Sequence, residues 1–312
     1  MENPGSRFLS RIFMLPMVLG VLLLLSNSVF ADDLLDIKKR GVLRHLGIPY
    51  ARFVSEDSSS GLDVELMRLF AQHLGVKYEY VKTDWSHAIS DLTGQTYHLV
   101  NGSPVVDGTV AMRGDIIANG LTILPWRQHL IDFSIPTFPT GIWLVARADS
   151  PIKPITTSGD ITKDIASVRA LLNKRSILAM ENTCLDPQLY ALKDTGAEVR
   201  LHDPNQGLND MALAVIRGEA EATILDIPDA LIALESLAGE IKIIGPIVPR
   251  QIMGSGFRKD SPLLRQAFDR FFQNSVNNGT YRTLVEKYYP SVFLYLGDFF
   301  EELDHQPLDN PK

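Results

Sequence analysis

The sequence predicts an α/β protein with largely parallel sheets, on three observations. Short apolar runs alternate with helix-period segments along most of the 312 residues, as when strands are joined by crossover helices. Two stretches, residues 142–150 and 248–257, leave a strand-like run for Pro-, Ser- and Gly-containing sequence, which reads as a chain crossing between domains. The 281 residues beyond position 31 are also more than one hydrophobic core usually holds.

The chain opens with an address. Arg7 and Arg11 form a basic start, residues 12–25 are an apolar stretch of 14, and SNSVFA ends in small residues at Ala31. A bilayer crossing needs about 20 apolar residues, so the expectation is a secretory signal cleaved after Ala31, with a retained anchor as the alternative. Removing residues 1–31 takes away Arg7, Arg11 and Glu2 and leaves 28 basic against 36 acidic residues, a net charge of −8. Such a balance argues against nucleic acid or an anionic membrane surface as a partner. Cys184 is the one cysteine, so an exported chain of this kind has no internal disulfide and depends on packing.

The elements then follow in order. Residues 42–48 are a short apolar run ended by Pro49. Residues 62–74 place Leu62, Leu66, Leu69, Phe70 and Leu74 on one helical face, with Gly75 as the stop,. Residues 76–81 (VKYEYV) alternate at period two,. Further strands are expected at 115–118, 142–147, 176–180, 199–202, 222–226, 241–244 and 251–258, and helices at 187–193, 208–217, 229–237 and 263–277. Two short strands and a Gly/Ser/Pro turn between residues 93 and 113 indicate a hairpin,. Asp32, Asp33 and the tail HQPLDNPK are expected to be disordered,. In a sheet of this kind the ligand crevice lies at the carboxyl ends of the strands.

Four stretches carry a resemblance to a known family: GLDVELMRLFAQHLGVKYEYVKTDW, RGDIIANGLTILPWRQHLIDFSIPTF, LAVIRGEAEATILD and the ending from MGSGF to KYY. In this order they resemble the family 3 solute-binding proteins of polar amino-acid ABC transporters. The resemblance implies the two-lobed, type II periplasmic-binding-protein-like fold with two crossover strands. Residues 32–145 and 252–312 would form one discontinuous lobe and residues 146–251 the other. It also implies a periplasmic monomer that closes on an amino acid or similar small carboxylate and docks on an inner-membrane ABC permease.

The resemblance assigns ligand residues position by position. In GLTILPWR, Arg127 stands where the family's Arg grips the ligand's α-carboxylate, and Thr122 and Gly120 would donate to the same group. A guanidinium fork matches two carboxylate oxygens, which the point charge of Lys does not. By residue chemistry alone, pairing of Arg127 with Asp132 on the surface is the alternative. GEAEATILD puts Asp226 where the family's acid holds the α-ammonium. Its alternative is an N-cap of the next helix, with Asp229 the more solvent-facing of the two acids.

The second lobe's Gly-Thr-Thr turn appears as Asn182-Thr183-Cys184. Thr183 carries over, Asn182 tolerates a left-handed backbone, and Cys184 weakens one donor. Tyr50 and Trp85 match aromatic positions that would sandwich the ligand's side chain, with core packing as the alternative for both. Trp126 either shades the cleft mouth or packs. Binders of basic ligands often carry an acid where this chain has Gly47, which disfavours Lys or Arg as ligand.

Other chemistry finds little support. The seven His residues show no paired metal spacing, and no phosphate-cradling loop, nucleophile elbow or dinucleotide fingerprint is present,. Neither a cofactor nor a metal is expected, and no catalytic residue is assigned. The same module is similar to the amino-terminal domain of a membrane-bound lytic transglycosylase, to sensor-kinase input domains and to cyclohexadienyl dehydratase. Two alternatives to transport follow: a dehydratase-like enzyme using Glu181 or Asp226 as general acid, and a sensory or accessory module that docks through the hairpin.

Overall fold

Gly41 ends α1 (Asp33–Arg40) by donating its amide to the Ile37 carbonyl at 2.8 Å, and β1 (Val42–Gly47) starts at the next residue. The computed structural model describes residues 33–203 and 206–304. The expected signal and its cleavage site, Asp32 and the tail at 305–312 lie outside the described residues. Asp33 was expected in a disordered start, but it opens α1 and is buried.

The first half of the chain continues with α2 (Leu62–Leu74), β2 (Lys77–Lys82), α3 (Ala88–Thr93) and the hairpin strands β3 (Gln95–Val100) and β4 (Ser103–Thr109). Then come β5 (Ile116–Ile117), α4 (Pro125–Leu130), β6 (Asp132–Phe133) and β7 (Phe138–Thr140). The middle section holds β8 (Ile142–Arg147), α5 (Ile161–Ala170), β9 (Ser176–Ala179), β10 (Glu198–Leu201), α6 (Met211–Ile216), β11 (Ala222–Asp226), α7 (Ile227–Ser236) and β12 (Ile241–Pro246). The chain ends with β13 (Gln251–Met253), β14 (Gly256–Phe257), α8 (Pro262–Asn277), α9 (Thr280–Tyr288) and α10 (Val292–Asp304).

Two five-stranded sheets result. One has the order β2-β1-β5-β14-β6, the other β10-β9-β11-β8-β12, and β7 pairs with β13 as a two-stranded ribbon. In the first sheet β1 runs parallel to β2 and β5, and in the second β9 runs parallel to β10 and β11. The first sheet takes its strands from residues 42–133 and again from 256–257, while the second is drawn wholly from 142–246. The chain therefore passes from sheet to sheet along β7 and returns along β13, which is the two-lobed, two-crossover arrangement.

Several boundaries differ from expectation, each for a local reason. β8 belongs entirely to the second sheet, so the first crossing precedes Ile142 rather than falling at residue 145. The single strand expected at 251–258 breaks into β13 and β14, because the Gly254 amide turns to the Leu121 carbonyl at 3.0 Å. The helix expected at 187–193 is replaced by turns and a 3₁₀ turn, Leu192–Thr195. Asp186 takes the Gln188 amide at 2.9 Å and Ala191 adopts φ of 46°, both incompatible with a continuing helix,. Likewise the helix expected at 208–217 divides into a 3₁₀ turn, Leu208–Asp210, and α6.

The core is assembled from the expected faces with small rotations. On α2 the buried stripe is Leu62, Leu66, Met67, Phe70 and Ala71, while Leu69 and Leu74 stand at its edge. Gly75 closes the helix in the left-handed region at φ of 73°,. Phe70 meets Phe268 and Phe271 of α8 with ring centroids 5.2 Å apart in both cases. Burying each such ring contributes about 2 to 3 kcal/mol. The predicted hairpin is present, with Asn101 at φ of 50° and Gly102 at φ of 76° forming its two-residue turn,.

Candidate functional site

The parallel strands of each sheet point their carboxyl ends at a common region. Tyr50 follows β1, Trp85 follows β2, and the segment from Asn119 to Arg127 follows β5. From the other sheet, Thr183 and Cys184 follow β9, and Asp226 is the last residue of β11.

Arg127 sits on α4 and is 2% exposed. One guanidinium nitrogen donates to the Thr122 carbonyl at 2.9 Å, and among the described residues no carboxylate forms an ion pair with it. The rings of Trp126 and Trp85 lie 5.2 and 5.8 Å from the guanidinium carbon. Burial holds the Arg127 pKa below its ordinary value, while Cys184, Tyr97, Tyr190 and Asp226 act on it through space in the opposite sense. Pairing with Asp132 is excluded, since Asp132 faces Lys259 at 3.3 Å.

Asp226 is fully buried. Its side chain makes no cap bond to α7; instead it accepts from Tyr50 Oη at 3.1 Å, from the Thr140 hydroxyl and from Cys184 Sγ at 3.6 Å. Burial raises its pKa to about 6 against those three hydrogen bonds. Asp229 was expected to face solvent but is 6% exposed, and its Oδ2 has no hydrogen-bond partner. Burial, reinforced by the charge of Asp226, pushes its carboxyl well up.

The residues named from sequence are thus brought together, but four of them, Gly120, Thr183, Tyr50 and Trp85, are differently engaged. The Gly120 amide is committed to Asp63 Oδ2 at 2.7 Å, so it is not a free donor to a ligand carboxylate. The Thr183 hydroxyl donates to the Met180 carbonyl at 2.8 Å and accepts the Leu185 amide at 3.0 Å, so it shapes its own turn. Tyr50 and Trp85 meet edge to face at 5.5 Å between centroids, which leaves no slot for a third group between them,. The Thr122 hydroxyl is buried without a hydrogen-bond partner among the described residues, as is the whole Asn119 side-chain amide. Asn182 takes the left-handed conformation at φ of 61°. Cys184 is buried and burial raises its thiol pKa well above the ordinary value, so it stays a protonated thiol that donates to Asp226,.

Four contributors were missed. Asp63 on α2 holds the Gly120 turn, Thr140 on β7 holds Asp226, Asp229 lies within electrostatic reach of Asp226 and Tyr50, and Tyr97 of the hairpin meets Trp126 in a tilted ring contact at 5.9 Å. An acid among the apolar residues of LDVELM is the one signal that could have pointed to Asp63.

The sequence profile of the bacterial extracellular solute-binding proteins, family 3, matches residues 46–106 and 96–291, a span containing every site residue named above. The chain belongs to that family. This family 3 solute-binding protein is 25% identical over 281 residues to the L-cystine-binding protein TcyJ of Escherichia coli, covering 87% of this chain and 93% of TcyJ. It is also 25% identical over 254 residues to membrane-bound lytic murein transglycosylase F of Desulfosudis oleivorans, covering 81% of this chain but 48% of that enzyme. The chain therefore matches about half of the transglycosylase's length. Among solved structures it is similar to the ancestral amino acid-binding protein AncCDT-1, a precursor of cyclohexadienyl dehydratase, with a TM-score of 0.63 at 25% identity over 82% of this chain and 99% of the other. Its two-sheet α/β architecture is the type II periplasmic-binding-protein fold of such relatives. Among the described residues no helix is long and apolar enough to cross a membrane, and no group of His, Cys, Asp or Glu is arranged to hold a metal ion.

Proposed function

We propose that this chain is an extracytoplasmic receptor that captures an amino acid, or a similar small carboxylate, between its two sheets for uptake by an inner-membrane ABC permease. The observation that carries the reading is Arg127: a buried cation with, among the described residues, one hydrogen bond and no acid paired to it. Desolvating an unpaired guanidinium costs several kcal/mol, which a bound carboxylate offsets through paired charge-assisted bonds. Thr122, with its unpartnered hydroxyl, adds a donor beside it. Asp226, within electrostatic reach of Arg127, supplies the opposite charge for an α-ammonium. TcyJ, whose name states that it binds L-cystine, supports an amino-acid ligand.

In this reading the lobes meet at β7 and β13, a signal cleaved after Ala31 delivers the protein, and it works as a monomer without cofactor. Isothermal titration against the standard amino acids tests the proposal. At least one is expected to bind, and its N-acetyl and carboxamide derivatives are expected to lose that binding. Absence of binding by every amino acid and by small carboxylates of similar size overturns it.

A second reading, a dehydratase on the same fold, is favoured by one feature. Asp226 titrates near about 6 in a buried setting, as a general acid would,. Turnover of prephenate or arogenate by the purified protein decides for the enzyme, and its absence for the receptor.

A further inference from the structure

Asp229, Ile232, Ala233 and Ser236 recur at helical spacing on α7 and line one side of a cavity of about 210 Å³,. Ala212 of α6, Leu225 of β11 and Ala51, on the turn after β1, help to complete the lining, and Arg127, Thr122 and Asp226 take no part in it. The space persists because positions 51, 212 and 233 carry alanine and position 236 serine, where longer side chains would fill it,. Leu213 and Ser236 are exposed, so the cavity opens to solvent.

The lining decides what the space accepts. Among the described residues Asp229 is its one ionisable group, set among leucines, alanines and an isoleucine. It is 6% exposed, and its Oδ2 has no hydrogen-bond partner. A buried polar group left without a partner is costly, and a ligand that supplies the partner removes that cost. Tyr50 is within reach of Asp229, but its hydroxyl has one proton and gives it to Asp226 at 3.1 Å. Burial and the charge of Asp226 hold the Asp229 carboxyl well above the ordinary carboxylate range. The cavity therefore presents a protonated carboxyl, with one O–H donor and one carbonyl acceptor. A carboxylate ligand would meet the negative field of Asp226, and an ammonium would have to ionise Asp229 in an apolar setting. A head that is uncharged and carries both a donor and an acceptor meets neither obstacle. A dry apolar cavity of about 150 Å³ holds a benzene ring, so this one has room for a short aliphatic chain behind such a head.

We infer that this cavity is a second ligand site, separate from the one at Arg127, which takes a short aliphatic molecule whose uncharged head, a primary amide or an alcohol, hydrogen-bonds to Asp229. Nothing in it requires Arg127 to hold a carboxylate. Amide NMR of the mature protein titrated with hexanamide, hexanoate and hexylamine tests it. Hexanamide is expected to shift the backbone amides of Asn209, Leu225 and Ile232 saturably, with a Kd of about 1 mM. Hexanoate and hexylamine should bind at least about fivefold more weakly. Asp229→Asn, uncharged and of the same shape, should keep hexanamide affinity within about threefold, while Asp229→Leu should lower it at least about tenfold. Ser236→Phe, a change at an exposed position, should block the cavity and abolish the shifts. The site is overturned by shifts that are absent, confined to the surroundings of Arg127, or retained in Ser236→Phe. An unchanged affinity in Asp229→Leu, or hexanoate or hexylamine binding as tightly as hexanamide, overturns it equally.

Discussion

Tyr50, on the turn after β1, donates its hydroxyl to the carboxylate of Asp226 at the end of β11, at 3.1 Å. This hydrogen bond ties the first sheet to the second, beside the Ala51 amide's bond to Asn209 and the Arg52–Glu235 ion pair. Tyr50→Phe removes one of three donors to a buried acid. Such a bond to a charged group contributes about 1.5 to 3 kcal/mol. Urea unfolding at pH 8 should show a loss of about 2 kcal/mol, and the Asp226 pKa should climb further. An unchanged unfolding midpoint would mean that the bond contributes nothing.

Gly120 carries both a backbone and a packing constraint. Its φ is +65°, and a Cβ there would lie 2.4 Å from Cδ2 of Phe53. That ring cannot retreat, because it stacks on Tyr50 at 6.0 Å and meets Phe138 and Tyr289 at 5.1 and 5.0 Å. Gly120→Ala should destabilise by about 2 to 3 kcal/mol and, by moving the turn next to Thr122, reduce ligand affinity as well. Thermal unfolding and ligand titration on one preparation check both effects, and a variant within about 0.5 kcal/mol of the parent contradicts the packing argument.

How much of this was legible in the sequence depended on whether a residue's part is set locally. The strand at Ala222–Asp226 and the helix at Leu62–Leu74 follow from periodicity and a glycine stop, and they lie where the pattern places them. Arg127 and Asp226 stand out as charges inside apolar runs, and their burial follows from that. The bonds from Asp63 to Gly120 and from Thr140 to Asp226 span 57 and 86 positions, and nothing local encodes them. Gly120 and Thr183 stand out in the sequence only as candidates, and their donors are consumed by neighbours within the protein. The helix expected at 187–193 failed because an Asp side chain competes for backbone amides, a contest that apolar spacing does not register,.

Asp63 gives the protein a pH dependence whose sign can be worked out. Burial raises its pKa from 3.8 to about 7, only partly opposed by the Gly120 amide. The folded state then binds the proton more tightly than the unfolded state does. The stability this provides is complete below about pH 4 and is lost as pH rises through 7. His45 works in the opposite direction, since burial lowers its pKa to about 4, so the whole-protein profile partly cancels. A difference measurement isolates the acid. Asp63→Asn, whose carbonyl can still accept the Gly120 amide, should be more stable than the parent at pH 8 by up to ~4 kcal/mol. The advantage should vanish near pH 4. A constant difference across that range would show that Asp63 does not titrate there.

Arg127 should behave as a residue kept for binding at the expense of stability. Without a ligand its buried charge has one carbonyl partner and two indole faces. Stacking on Trp returns about 0.5 to 2 kcal/mol, less than the several kcal/mol that desolvation of an unpaired ion removes. Arg127→Met keeps much of the volume against both indoles and deletes the charge. Thermal unfolding of the ligand-free variant should therefore show a gain of about 1 to 2 kcal/mol. In the same variant, binding of any carboxylate ligand should fall by at least about a hundredfold, the worth of roughly 3 kcal/mol. The two changes must appear together, because both follow from one unpaired cation. A variant that loses stability while still binding would show that Arg127 is a structural residue whose partner is the protein itself.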